Sequence, residues 1–193
     1  MQSTPYTHLT TRTRDTCSLG LPRSLRLFAL ALLLCLGSQT STAQDSDRGV
    51  INALLDDFHL AAAEADAQRY LDHFAPEGVF MGTDDWERWP LPEFRKYVSE
   101  RFAGGTGWTY TPENRVVTLA DDSEVAWFDE IMVSERWGRF RGTGVLSKQD
   151  GQWKIAHYSL TALVPNERFA DVAEIAMEGF EAREAHKSDD KLE

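Results

Sequence analysis

From Val50 to Ala65, apolar residues recur every three or four positions, at Val50, Leu54, Phe58, Ala61 and Ala65. That spacing lines one face of an amphipathic helix. Ser46 or Asp47 supplies the side-chain oxygen that caps such a helix. A second helical stretch, 67–74, stops at Ala75-Pro76, where the backbone loses a donor. Glu77-Gly78 then turns into a short strand at 79–81. Residues 82–90 read as a polar loop that also carries Trp86 and Trp89. Pro92-Glu93 opens a third helix, with Phe94, Tyr97, Val98 and Phe102 facing inward and Gly104-Gly105 ending it.

Beyond Gly105 the pattern becomes that of strands. Four are expected, at 108–119, 124–134, 139–148 and 153–163. The first two are separated by Asp121-Asp122-Ser123, and the last two by Asp150-Gly151, a strong signal for a two-residue hairpin turn. Pro165-Asn166 starts a last helix over 167–186, with Phe169, Val172, Ala173, Ala176 and Phe180 on one stripe, and 187–193 is a polar tail. Helices first and then a long antiparallel meander make one α+β domain, residues 44–186, with its core in 50–166. Its length suits a single hydrophobic core.

The first 43 residues obey different rules. Arg23 and Arg26 precede an apolar run, Leu27 to Leu36, and Ser41-Thr42-Ala43 places small residues for cleavage before Gln44. These are the parts of a secretory signal peptide, residues 1–43. The run is half the roughly 20 residues a membrane-spanning helix needs, so no stable membrane anchor is expected and the domain is read as periplasmic or secreted. Leu34 stands before Cys35 where lipid attachment wants a small residue, and the basic segment has no Arg-Arg pair.

Setting this leader aside changes the charge. Residues 44–193 keep 16 of the 20 basic residues and 30 of the 31 acidic ones, a balance of −14. A domain so acidic repels phosphate backbones, so nucleic acid is excluded as a partner. Cys17 and Cys35 both lie in the leader, which leaves the domain without a thiol nucleophile, a disulfide or a Cys-ligated metal. No His-Glu-x-x-His, acidic calcium loop or Gly-rich phosphate loop occurs, so neither metal nor cofactor is expected.

The segments "YLDHFAPEGVFMGTD" (70–84), "WERW" (86–89), "GWTYTP" (107–112), "EVAWFDE" (124–130), "RGTGVL" (141–146) and "GQWKIAHYSLT" (151–161), taken in order, resemble the SnoaL-like domains of the nuclear-transport-factor-2-like superfamily. The resemblance spans nearly all of residues 50–166. It implies a cone: a curved, mostly antiparallel sheet wrapped by the N-terminal helices around a pocket, often paired as a homodimer through the sheet, with the C-terminal helix as an addition. Members include isomerases, dehydratases, polyketide cyclases and proteins without known activity, so the fold alone does not choose a reaction.

Alternation along the strands places Asp129, Arg141 and His157 on shared faces. On the concave face they would bring a carboxylate, a guanidinium and an imidazole together in an apolar cavity. There Asp129 and His157 would act as an acid/base pair, with Arg141 or Tyr110 stabilising an enolate oxygen. Asp129 and Arg141 are equally readable as a cross-strand ion pair, and His157 as a structural residue. Glu130 falls on the opposite, solvent or dimer face, and His59 flanks the pocket. Trp86, Trp89, Trp108 and Tyr110 are expected to line the mouth and stack on a flat apolar or aromatic molecule; core packing is their other reading. Three functions are compatible with this pattern: a cofactor-independent acid/base isomerase, lyase or cyclase; a ligand-binding module without turnover; or a dimeric accessory protein whose cone its own side chains fill.

Overall fold

The computed structural model describes the backbone of residues 23–189 and the side chains of residues 43–186, Ser123 excepted in both. The chain divides into two units, Met1–Thr42 and Ala43–Glu193, and the second holds the sheet and its helices. The side chains of the leader's basic segment and apolar run lie outside the described residues. No described helix is long and apolar enough to cross a membrane.

The elements are α1 (Arg23–Ala63), α2 (Ala67–Asp72), β1 (Phe74–Met81), β2 (Arg88–Pro90), α3 (Leu91–Phe102), β3 (Thr111–Leu119), β4 (Val125–Ser134), β5 (Gly138–Gln149), β6 (Gln152–Ala162) and α4 (Phe169–Asp189), in the expected order except for β2, a short strand at the end of what reads as a loop. The six strands form one sheet in the order β2-β1-β6-β5-β4-β3. Every pairing is antiparallel except that of β1 with β6. The β5–β6 hairpin closes on Asp150 and Gly151, both with positive φ, as a two-residue turn of this hand requires. Asp66 caps α2 by accepting from the Arg69 amide. That helix is shorter than expected: Phe74, Ala75 and Pro76 already belong to β1, and Pro76 falls in the irregular stretch between Phe74 and Val79 where the ladder to β6 is interrupted.

The core lies between the helices and one face of the sheet. Helix α1 buries Ile51, Leu55, Phe58, Ala61 and Ala62, while Val50 is exposed. Its inner face is therefore turned by about one residue from the stripe read off the sequence, and the turn carries His59 inside. Phe58 stacks on Tyr70 at 4.5 Å between ring centroids. Phe74, Phe94 and Tyr158 close around these two rings, so aromatic side chains fill the deep end of the cone. Asp47 pins the start of this face of α1 to the sheet, accepting from Lys148 Nζ and Trp153 Nε1, each at 3.0 Å. By contrast, α4 leaves Phe169, Val172, Ile175, Met177 and Phe180 exposed. It is tied to the loop after β1 by Arg183, which donates to Asp84 and Asp85.

Candidate functional site

Strand parity decides which side chains can share a site. On β4, Ala126, Phe128, Glu130 and Met132 point into the core, whereas Trp127 and Asp129 are exposed. On β5, Phe140, Gly142, Gly144 and Leu146 point in and Arg141 points out. Asp129 and Arg141 thus lie on the exposed face, opposite to the concave placement expected of them. Asp129 faces Thr143 across the ladder and Arg141 faces Ile131, and the two side chains make no ion pair.

His157 reaches the same outer face by another route. Val145 pairs with His157, but Leu146 pairs with Ile155, so Ala156 is a bulge. A bulged residue resets the alternation. Trp153 and Ile155 remain inside, His157 turns outward and Tyr158 takes the inner position. Strand β5 runs between His157 and Asp129, and Asp129 stands level with Ser159, so the two lie farther apart than two strand spacings, roughly 9.5 Å. His157 Nε2 lies 3.1 Å from Met81 Sδ instead. The structure does not bring Asp129, His157 and Arg141 together as an acid/base site.

The inner face holds a different polar cluster. Glu130, 1% exposed, receives Arg115 Nε on Oε2 and meets His59 Nε2 at Oε1, each at 2.7 Å. Arg115 Nη1 also donates to Asp56 Oδ1 at 2.7 Å and to the Asn52 carbonyl at 3.1 Å. Arg115 owes its direction to a second bulge: Glu113 pairs with Ile131 but Val116 with Asp129, and Asn114 takes φ 49°. Across from Glu130, Gly142 has no side chain, and a Cβ there would lie 2.5 Å from the Tyr158 hydroxyl and 3.2 Å from Glu130 Oε1. The glycine gives both groups their room.

Burial pushes the Glu130 carboxyl up, but the His59 contact and the Arg115 charge outweigh it and hold it below the ordinary glutamate value. Burial, with the Glu130 charge beside it, raises the Tyr158 phenol well above the ordinary tyrosine value. The signs fix two limbs of a stability profile. Glu130 contributes stability that is present above its ordinary 4.5 and lost as pH falls below it. Above pH 10 the unfolded chain releases the Tyr158 proton and the folded chain does not, so stability falls there as well. Urea denaturation from pH 3 to 11 is expected to show both limbs, and Tyr158→Phe to make the alkaline one shallower, the remainder coming from Tyr70, whose phenol burial also raises.

One open cavity lies at the mouth, with a volume of about 380 Å³, and a second of about 400 Å³ shares Arg101, Trp108, Tyr110 and Trp137 with it. Trp89, Trp108 and Tyr110 line the first, as the sequence suggested; Trp86 does not, but lies edge-on to Trp89 at 5.3 Å and is 57% exposed. Tyr97 stacks between Trp89 and Trp108, at 5.1 and 6.3 Å, with interplanar angles of 17° and 24°. Tyr110 meets Phe140 edge to face. Phe80 and Leu160 also line the cavity, and Phe80 is held parallel between Phe94, at 4.4 Å, and Tyr158, at 5.6 Å. Burial raises the Tyr110 phenol, which keeps it a proton donor at neutral pH.

Two charged side chains complete the lining, Glu87 and Arg101. Glu87 Oε2 accepts from the Asp84 amide at 3.1 Å and packs so closely on Gly82 that a Cβ there would lie 2.1 Å away. Arg101 donates to the Thr106 carbonyl at 2.9 Å, its guanidinium 5.8 Å from the Trp108 ring centroid. Sequence reasoning passed over Arg101, although it lies one helical turn after Tyr97 and so shares its face. It also missed Trp137, which lines the cavity from the β4–β5 turn. Among the described residues, no three His, Cys, Asp or Glu side chains gather as a metal site.

A curved, unclosed sheet packed on helices, with an aromatic pocket at its mouth, defines a nuclear-transport-factor-2-like domain. The chain belongs to the SnoaL-like domain family, whose model matches residues 51–165. It is similar in structure to an NTF2-like protein of unknown function from Pseudomonas putida KT2440, at 18% identity and TM-score 0.54, over 65% of this chain and 91% of that one. Two further similar structures carry suggested activities. One, from Novosphingobium aromaticivorans, is named as a proposed aromatic ring hydroxylase (20% identity, TM-score 0.51, 62% of this chain and 91% of that one). The other, from Streptomyces avermitilis, is a proposed dehydratase of the NTF2-like family (12% identity, TM-score 0.52, 63% and 99%). At these identities the likeness concerns the fold. No curated protein matches the sequence.

Proposed function

We propose that the protein binds a small, flat, largely apolar molecule in the mouth cavity. The supporting observation is the aromatic wall: Trp89, Tyr97 and Trp108 form one stacked column, with Tyr110 and Phe80 on the same cavity. The volume lies within the roughly 300–1,000 Å³ of small-molecule sites. Rings fixed by one another lose little entropy when a ligand docks on them. In a thermal-shift screen, planar aromatic compounds are expected to raise the melting temperature, and Trp108→Ala to abolish that rise. If no planar compound stabilises the protein, the binding reading fails.

Turnover is a second reading, favoured by Glu87 and the protonated Tyr110 lining one cavity. An isomerase, lyase or cyclase here would use Glu87 as base and Tyr110 as donor to a carbonyl oxygen. Asp129 and Arg141 are exposed and have no part in it. Chemical change in a stabilising compound, lost in Glu87→Gln, separates catalysis from binding alone.

Export through the 1–43 leader and action in the periplasm or outside the cell are part of the same proposal, resting on the leader's sequence. So is a homodimer through the outer sheet face, where Val116, Trp127 and Val145 are exposed together. In analytical ultracentrifugation, Trp127→Glu is expected to shift a dimer to monomer.

A further inference from the structure

The mouth cavity is apolar over most of its wall, yet it holds two charges of opposite sign that do not neutralise each other. Among the described residues, Glu87 and Arg101 make no ion pair, with each other or with anything else. Their neighbours are treated differently. Asp84 and Asp85 are both paired, by Arg183, which leaves Glu87 as the unpaired carboxylate of that loop.

Glu87 is also fixed in place. Its carboxylate is half-buried, bonded to the Asp84 amide and seated on Gly82. The loop is closed around it by the Gly82 amide donating to the Glu87 carbonyl at 2.9 Å and the Glu87 amide to the Asp84 carbonyl at 3.1 Å. That carboxylate lines an aromatic-walled cavity with a backbone N–H as its protein donor and no cation beside it, which leaves its charge for a ligand to meet. Arg101, at the exposed end, spends one Nη1 donor on Thr106 and keeps its other donors for a ligand. Its guanidinium is held over Trp108, which limits where a bound anion can sit.

We infer that the cavity takes an amphoteric ligand: a flat apolar body carrying an ammonium group for Glu87 and a carboxylate for Arg101, as an aromatic amino acid does. The inference rests on the proposed binding of planar molecules and adds the charge pattern of the ligand. The ligand's two charges supply the ion pairs that neither residue makes in the protein, and the stacked rings hold the flat body beside them.

Four probes with one ring system test it by isothermal titration calorimetry on the wild-type chain: tryptophan, tryptamine, indole-3-propionate and indole. Tryptophan is expected to bind at least about tenfold tighter than either singly charged analogue, the scale of one charge-assisted hydrogen bond. Glu87→Gln keeps the shape and the acceptor for Asp84. It is expected to remove the advantage of tryptophan over indole-3-propionate. Arg101→Gln is expected to remove the advantage over tryptamine. If indole binds as tightly as tryptophan, or if both variants leave the ranking intact, the amphoteric ligand is overturned while planar binding stands. If none of the four binds and the broader planar screen also fails, the binding reading itself falls.

Discussion

Glu130→Ala is expected to lower the unfolding free energy by about 3–5 kcal/mol, the usual cost of removing one partner from a buried charge pair. The carboxylate side chain is wholly buried and meets Arg115 and His59 on its two oxygens. Without it, the Arg115 guanidinium keeps only its contacts to α1, although its side chain is 8% exposed. Arg115 Nη2 is already buried without a hydrogen-bond partner, so the site has no spare acceptor to absorb the loss. The pair is nevertheless not worth that much in the intact protein, because desolvation offsets most of the attraction. Replacing the cluster together, as Glu130→Leu, Arg115→Met and His59→Phe, is therefore expected to recover most of the stability. Urea denaturation of the single and triple variants checks both statements. A loss below about 1 kcal/mol for Glu130→Ala would mean that the carboxylate is solvated.

The elements were legible in the sequence because period and punctuation agree. The Asp150-Gly151 turn, the Pro at the start of α3 and the helical period of α1 are each dictated locally. The facing of β4 was not, because Trp127 and Ile131 on one side are as apolar as Phe128 and Met132 on the other. Nothing local says which row meets the helices, and a shift of one residue exchanges Asp129 for Glu130. The two bulges hid the rest. Alternation carried through Ala156 puts His157 beside Ile155, and the same alternation gives no reason to turn Arg115 inward. Pairing the inward His59 with a strand carboxylate requires the one-residue rotation of α1, which only packing sets.

The aromatic site was easier to see than the polar one. Large rings in a loop and at a strand entrance have few ways to avoid water except by meeting each other, so Trp89, Trp108 and Tyr110 converge whatever the register. Polar residues depend on facing, and facing depended on two inserted residues and a parity choice. Among the deep inward groups, Glu130 and Arg115 spend their contacts on holding α1 to β3 and β4. The mouth keeps Glu87 and Arg101 free of ion pairs. Phe80 lines the mouth cavity and stacks on Tyr158, whose hydroxyl lies on the Glu130 side.

That stacking makes Phe94→Ala the most telling core change, with an expected loss of about 3–5 kcal/mol in unfolding free energy. Phe94 is fully buried and contacts the rings of Tyr70, Phe74, Phe80 and Tyr97. It does not line the mouth cavity, but it backs Phe80 with its plane only 8° away, and Phe80 does line it. Removing the ring takes away the support behind Phe80, which shifts toward the void as far as the partial relaxation of a dense core allows. Affinity for indole is therefore expected to fall along with stability, and Phe94→Leu to give an intermediate loss of both. A protein destabilised as expected but with indole affinity intact would show that Tyr158 alone fixes Phe80. The column of Trp89, Tyr97 and Trp108 would then be a wall that holds its shape independently of the core beneath it.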